Sequence, residues 1–160
     1  FTGDGMLAVF GAPVSAGSGR DASQALAAAR SIQTGILNLN QTLKKQGSAA
    51  LRLRVGIHSG VVLTGSLGSR ERLEYAVIGD TVNCASRLES LDKERHQGVV
   101  RVLVSSTTLV LAGENLEQPS LNDWGEITVT GRKEPLRVFE LGHVASIKGR
   151  PPATPQANGS

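Results

Sequence analysis

A chain of 160 residues with 39% apolar residues can bury one core and is too short for several. Aromatic residues make up only 3%, so that core has to be built from Val, Leu, Ile and Ala, and a net charge of +3 on scattered Lys and Arg gives no basis for a nucleic-acid surface. The single cysteine, Cys84, cannot build a disulfide framework or a zinc site, which favours a reducing compartment. His58, His96 and His143 have no metal-ligand spacing. No apolar run reaches the roughly 18 residues of a membrane span, and no signal peptide is evident. The chain begins at Phe1 and reads as a piece of a longer protein, a cytoplasmic domain to which a membrane anchor or sensor can belong.

In chain order, Phe1 to Gly11 reads as a tight turn between two strands, with Gly3 and Gly5 supplying the permissive backbone and Asp4 at the apex. Leu7 and Val9 then mark a short, central apolar strand. Ala12 to Arg20 is a Pro/Gly/Ser loop. It contains Gly17-Ser18-Gly19-Arg20-Asp21-Ala22, which fits a dinucleotide fingerprint, but loop residues separate it from the strand and position 40 is Asn40 rather than an acid. No Walker-type phosphate loop occurs. Asp21 to about Lys45 has helical periodicity through Ala22, Ala25, Ala29, Ile32, Ile36, Leu39 and Leu43. Asp21 at its start and Lys44 and Lys45 at its end suit the helix dipole, and Gly47 ends it. Strands follow over residues 51–59 and 61–64, with Gly56 inside the first implying close backbone approach.

From Leu73 to Ile78 the pattern is again a strand. Gly79 and Asp80 break it, Asp80 or Thr81 is placed to cap a helix, and from Val82 the period becomes helical, with Val82, Ala85, Leu88 or Glu89, and Leu91 on one stripe. Asn83 and Arg87, four apart, project from one face of that helix; an amide and a guanidinium there suit a sugar oxygen and a phosphate. Cys84 is expected to face away from Asn83 and pack as a small apolar group. A polar loop leads to a strand over 99–105. Ser105 and Ser106 introduce a short helix over 107–112, and a final hairpin has strands at 124–130 and 136–141. The tail from Val144 has no periodicity and is expected to be disordered, giving a domain over 1–143 and a tail over 144–160.

The segment Ile78-Gly79-Asp80-Thr81-Val82-Asn83-Cys84-Ala85-Ser86-Arg87-Leu88-Glu89 closely resembles the core motif of class III nucleotidyl (adenylate and guanylate) cyclases. Phe1-Thr2-Gly3-Asp4-Gly5 with Ala8-Val9-Phe10-Gly11, Arg54-Val55-Gly56-Ile57-His58-Ser59-Gly60 and the C-terminal hairpin resemble further motifs of that family, in the same order. The order of elements and this resemblance imply an α+β fold: a ferredoxin-like layered sheet with helices on one face, lacking its N-terminal strand and helices. The resemblance implies conversion of ATP to 3′,5′-cyclic AMP and pyrophosphate in intracellular signalling, at sites shared across a homodimer and governed by upstream sensor or regulatory domains. By the same resemblance Asp4 is one of two carboxylates that hold a pair of Mg²⁺ or Mn²⁺ ions. Asn83 orients the ribose, Arg87 stabilises charge at the α-phosphate, and Thr2, Gly3, Ala76 and Arg132 or Lys133 contact the substrate. Because the second metal carboxylate and the purine-reading lysine would precede Phe1, these 160 residues alone are expected to make no cyclic nucleotide. One position departs from the pattern. Ala76 stands where the family usually carries a polar side chain for the purine, so base discrimination is expected to be weakened. Guanylate or relaxed specificity, and a non-catalytic regulatory domain, are the alternatives.

Overall fold

The computed structural model describes residues 5–69, 72–92, 98–129 and 134–142; of 66–69 and 72–75 it describes the backbone alone. The elements run α1 (Ser18–Lys45), β1 (Leu53–Ile57), β2 (Leu63–Ser69), β3 (Arg72–Ile78), α2 (Asp80–Ser90), β4 (Val100–Ser105), α3 (Ser106–Leu111), β5 (Leu121–Ile127) and β6 (Leu136–Leu141). Strands β1, β4, β6 and β5 form one sheet in that order; β2 and β3 form a separate antiparallel hairpin.

Strand β4 is buried along its whole length, and its two faces carry different residues. Val100, Val102 and Val104 face one core with Leu26 and Ala29 of α1, Leu109 of α3, and Phe139 and Leu141 of β6. Leu103 belongs to a second core with Cys84 and Leu88 of α2 and Leu136 and Val138 of β6. The α+β layered sheet expected from the sequence therefore forms. Its helices divide between the two faces, α1 on one and α2 on the other, rather than sharing one, because alternation along an all-buried strand gives both faces of the sheet an apolar surface to cover.

Helix α1 buries Ala22, Leu26, Ala29 and Gln33, whereas Ile32 and Leu39 are exposed. Of the expected stripe Ala22 and Ala29 are buried and Ile36 packs against the core, while at positions 25 and 32 the buried side chain is the next residue, Leu26 and Gln33. Gln33 enters the core because its amide donates to the Leu141 carbonyl at 3.1 Å. At its start α1 seats on α3, where a Cβ at Gly19 would lie 2.9 Å from the Leu111 carbonyl oxygen; near its middle Arg30 pairs with Glu114, just past α3, at 3.1 Å.

Residues 6–10 do not form the expected apolar strand. A strand exists only through a ladder partner, and among the described residues no strand pairs with them, so Met6, Leu7 and Phe10 stay exposed. The expected division at residue 143 lies outside the described residues.

Helix α3 begins where Ser106 was expected to help start it. The fully buried Ser105 is its N-cap, accepting from the Thr108 amide at 3.4 Å and lying 3.1 Å from the Thr108 hydroxyl. Nδ1 of His58, half-buried just past β1, lies 2.9 Å from the same Ser105 oxygen. Ser105→Ala removes all three contacts and is expected to lower unfolding free energy by about 1–2 kcal/mol. The check is a shift in urea midpoint at unchanged slope.

Candidate active site

The site is organised by α2, whose position is set at three points along its length. At the N-terminus the helix is capped by Gly79, at φ 156°, with no side-chain cap. The expected cap from Asp80 or Thr81 is therefore replaced: the Thr81 hydroxyl donates instead to the Val61 carbonyl at 2.7 Å, tying the helix start to the segment before β2. Gly60 makes room for this, since a Cβ there would lie 2.5 Å from Thr81 Oγ1.

In the middle, α2 lies directly on β1. A Cβ at Gly56 would come within 2.1 Å of the Ala85 carbonyl oxygen and 2.4 Å of the Glu89 nitrogen. The close approach expected of this glycine is thus a contact between β1 and the α2 backbone. Cys84 and Leu88 point from this side of the helix into the core, and the Cys84 thiol is 3.7 Å from the Asp80 carboxylate. At the C-terminal end, Arg54 of β1 pairs with the Glu89 side chain at 2.8 Å, and Arg101 of β4 reaches the main chain.

With its inner side held, α2 presents Asn83, which is exposed, and Arg87, which is half-buried, one helical turn apart. Arg87 lines a groove of about 350 Å³ between the last turn of α2 and the end of β5, together with Leu91, Asp92, Ile127 and Val129. Ala76 lies in β3, half-buried and in register with Gly65 of β2, and its strand runs through Gly79 straight into α2. The structure therefore brings Ala76, Asn83 and Arg87 onto one continuous strand–turn–helix. Thr2, Gly3, Asp4, Arg132 and Lys133 lie outside the described residues; Val129, at the groove, is three positions before Arg132 in sequence.

Among the described residues no group of three or more His, Cys, Asp or Glu side chains is arranged to hold a metal ion, and no helix is long and apolar enough to cross a membrane. The one carboxylate assigned to metal by resemblance, Asp4, has the hard oxygen donors that Mg²⁺ and Mn²⁺ prefer, but a single carboxylate does not complete a site.

Sequence reasoning missed Arg101. It is 2% exposed, and burial pushes its guanidinium pKa below the usual value while Glu140, Asp92 and Glu89 pull it back up. The signal was present, since an Arg in the middle of Val99-Val100-Arg101-Val102-Leu103-Val104 has to be buried with partners or break the strand.

A sheet with helices on both faces, and a strand–turn–helix that projects an amide and a guanidinium beside a groove, define an α+β domain suited to binding a phosphorylated ligand. Residues 1–142 match the family described as the adenylate and guanylate cyclase catalytic domain, and the chain belongs to that family. It is 33% identical over 141 residues to adenylate cyclase 1 of Rhizobium meliloti, covering 88% of this chain and 20% of that protein. Among solved structures it resembles the adenylyl cyclase CyaB from P. aeruginosa (TM-score 0.67, 29% identity, 82% of this chain and 64% of that one). It also resembles the guanylyl cyclase Cya2 (TM-score 0.68, 30% identity, 92% of this chain and 68% of that one). The chain spans between a fifth and a quarter of the length of the curated relatives it matches.

Proposed function

We propose that the protein carrying this domain converts ATP to 3′,5′-cyclic AMP and pyrophosphate, as part of intracellular signalling. The observation that carries this reading is the pose of α2, which presents Asn83 and Arg87 one turn apart, with Arg87 on the wall of the groove. In the reaction the ribose 3′-oxygen attacks the α-phosphorus in line, the bond to the β-phosphate oxygen breaks, pyrophosphate leaves, and the hydroxyl proton is lost to solvent. Asn83 holds a ribose oxygen through its amide, so that the 3′-oxygen faces phosphorus. Arg87 donates to the α-phosphate oxygens as negative charge gathers on them. Arg132 or Lys133 pairs with the triphosphate, and Thr2 and Gly3 approach it through backbone and hydroxyl donors. Mg²⁺ or Mn²⁺, when bound with Asp4 among its ligands, supplies neutralisation of the triphosphate and a lower pKa for the 3′-hydroxyl.

The site is assembled from two copies, with Asp4 from one and Asn83 and Arg87 from the other. The hairpin β2–β3 supports an interface between copies. Its register partners Leu63 and Ile78 are 73% and 58% exposed, and Val61 beside them is 87% exposed, an apolar surface that suits a protein partner better than water.

A second reading, guanylate or relaxed specificity, is favoured by Ala76, whose methyl group offers a purine edge neither donor nor acceptor. The similarity to one adenylyl and one guanylyl cyclase structure at nearly equal TM-scores leaves both substrates in view. The test is an assay of the full-length protein with ATP and GTP side by side, in Mg²⁺ and in Mn²⁺. Cyclic AMP is the expected main product. The preference for ATP in kcat/KM is expected to stay below about 100-fold, because residue 76 presents no polar group that the wrong base would leave unpaired. Exclusive cyclic GMP formation would overturn the adenylate reading, and no cyclic nucleotide under any activating condition would favour a regulatory, non-catalytic domain.

A further inference from the structure

Arg54 and Arg101 are register partners on the parallel strands β1 and β4, so two guanidinium groups stand side by side on the face that α2 covers. Adjacent like charges at a buried site are costly unless opposite charge meets them. Here both are met by the C-terminal end of α2, where the helix dipole is negative and the last carbonyls lack intrahelical donors. Arg54 takes the Glu89 carboxylate at 2.8 Å. Arg101 donates to three main-chain carbonyls: Asp92 at 2.7 Å, Glu89 at 3.3 Å, and Leu91.

The chain is bent to make these carbonyls converge. After the C-cap Leu91, at φ −59° and ψ 130°, Asp92 takes a φ of 39°, in the left-handed region that a non-glycine residue adopts only when its surroundings favour it. The opposite strand is adapted as well. A bulge shifts the register of β5 between Asp123 and Gly125, and the Arg101 guanidinium lies 5.5 Å from the ring centroid of the intervening Trp124. The Trp124 indole donates to Glu140 at 3.0 Å, and Glu140 is the register partner of Leu103, two residues along the same face from Arg101.

Arg101 thus occupies the centre of a built arrangement: helix carbonyls, an aromatic ring, and a carboxylate that accepts from that ring's N–H. The segment it grips, Leu91–Asp92, forms the wall of the groove opposite the end of β5, and Arg87 stands in the last turn of the helix that leads into it. A clamp at this end fixes the height and rotation of the turn that carries Arg87. Thr81 fixes the other end through Val61, and Gly56 sets the distance to the sheet.

We infer that Arg101 is a positioning residue for the reaction: by gripping the carbonyls of Glu89, Leu91 and Asp92 it holds the last turn of α2, and with it Arg87 and the groove wall, in the pose the substrate phosphates require. This rests on the cyclase reading for Arg87. The contact that transmits the effect is the fork of N–H donors, which meets several carbonyls at once; a Lys ammonium in the same place keeps the charge but loses the fork. Arg101 itself touches no reacting atom.

The experiment compares wild type with Arg101→Lys, Arg101→Gln and Glu140→Gln in the full-length protein, with rates normalised to folded protein. Arg101→Lys is expected to lower kcat roughly 10- to 100-fold at a KM within about threefold of wild type, because a small misplacement of Arg87 acts on the transition state more than on nucleotide binding. Arg101→Gln falls further. Glu140→Gln, which keeps an acceptor for Trp124 but removes the charge, lies between wild type and Arg101→Lys. Hydrogen–deuterium exchange, read without any turnover, is expected to rise at least about 10-fold in peptides covering residues 84–92 in the Arg101 variants, with α1 peptides unchanged. Arg101→Lys with wild-type kcat, or with unchanged exchange over 84–92, overturns the clamp. The failure of the underlying reading has a different signature: wild type and Arg87→Ala then show the same rate or none, while the exchange data still decide whether Arg101 holds α2.

Discussion

Arg87→Ala is expected to lower kcat for cyclic nucleotide formation by roughly 10²- to 10³-fold with KM nearly unchanged. The guanidinium sits in the last turn of α2, half-buried, with Leu91 and Asp92 on one side and the end of β5 on the other. On the mechanism proposed above this holds it ready for the α-phosphate before substrate arrives, and a pre-placed donor costs no reorganisation in the transition state. The same position explains why folding should survive the change. The residues that seat the helix are Cys84 and Leu88 on its inner side, both fully buried, and Arg54 and Arg101 at its end. Arg87 belongs to none of these contacts, so the thermal midpoint of the variant is expected within about 2 °C of wild type, as for a surface substitution. Arg87→Lys should recover only part of the rate, since a point charge does not reproduce two parallel N–H bonds to phosphate oxygens. A wild-type rate for Arg87→Ala would remove the role assigned to it.

Gly56→Ala is expected to produce the largest loss of stability from a single methyl group. The new Cβ would lie 2.1 Å from the Ala85 carbonyl oxygen, 2.4 Å from the Glu89 nitrogen and 3.0 Å from the Leu88 carbonyl carbon. All three atoms are helix backbone, so no side chain can swing aside, and α2 has to lift from β1. Lifting strains the Arg54–Glu89 pair and opens the packing of Cys84 and Leu88 against Leu103 and Val138. Overpacking of this kind costs about 3 kcal/mol. In a domain of this size that corresponds to a fall in melting temperature of roughly 6–12 °C, measurable by differential scanning calorimetry. The folded fraction should also turn over more slowly, because the helix that carries Asn83 and Arg87 is the element displaced. The control is Gly65→Ala, where a Cβ meets nothing within 4 Å. A Gly56→Ala midpoint equal to that of the control would show that α2 does not rest on β1 as described.

The residues around Gly79 were legible because two periodicities meet there. Leu73 to Ile78 alternates with a period of two, the run from Val82 recurs every three to four residues, and a glycine with φ 156° joins them. The burial of Cys84 followed from composition and spacing and is borne out. Three features were hidden for physical reasons. In α1 an Ala-rich helix offers several apolar stripes of nearly equal strength, and Gln33 was selected over Ile32 by a hydrogen bond to Leu141 more than a hundred residues away, which no local pattern records. The strand expected at residues 7–9 depends on a pairing partner, and strand propensity without one does not make a ladder. Thr81 looked like a cap because Thr caps helices, but the Val61 carbonyl, twenty positions earlier in the chain, competed for its hydroxyl. Of the candidate site, Ala76, Asn83 and Arg87 could be followed into the structure, where they share one strand–turn–helix. Thr2, Gly3, Asp4, Arg132 and Lys133 are read from the motif alone.

Subunit complementation tests directly whether the site is divided between two copies of the chain. Full-length Asp4→Asn and Arg87→Ala proteins, each inactive alone, are mixed under conditions in which exchange of differently tagged subunits is verified by pull-down. Random pairing makes half of the dimers mixed, and each mixed dimer has one site with both residues intact, so activity is expected to return to about a quarter of wild type. Verified mixed dimers with no activity above the separate variants would contradict it, because Asp4 and Arg87 would then have to act within one chain or not at all.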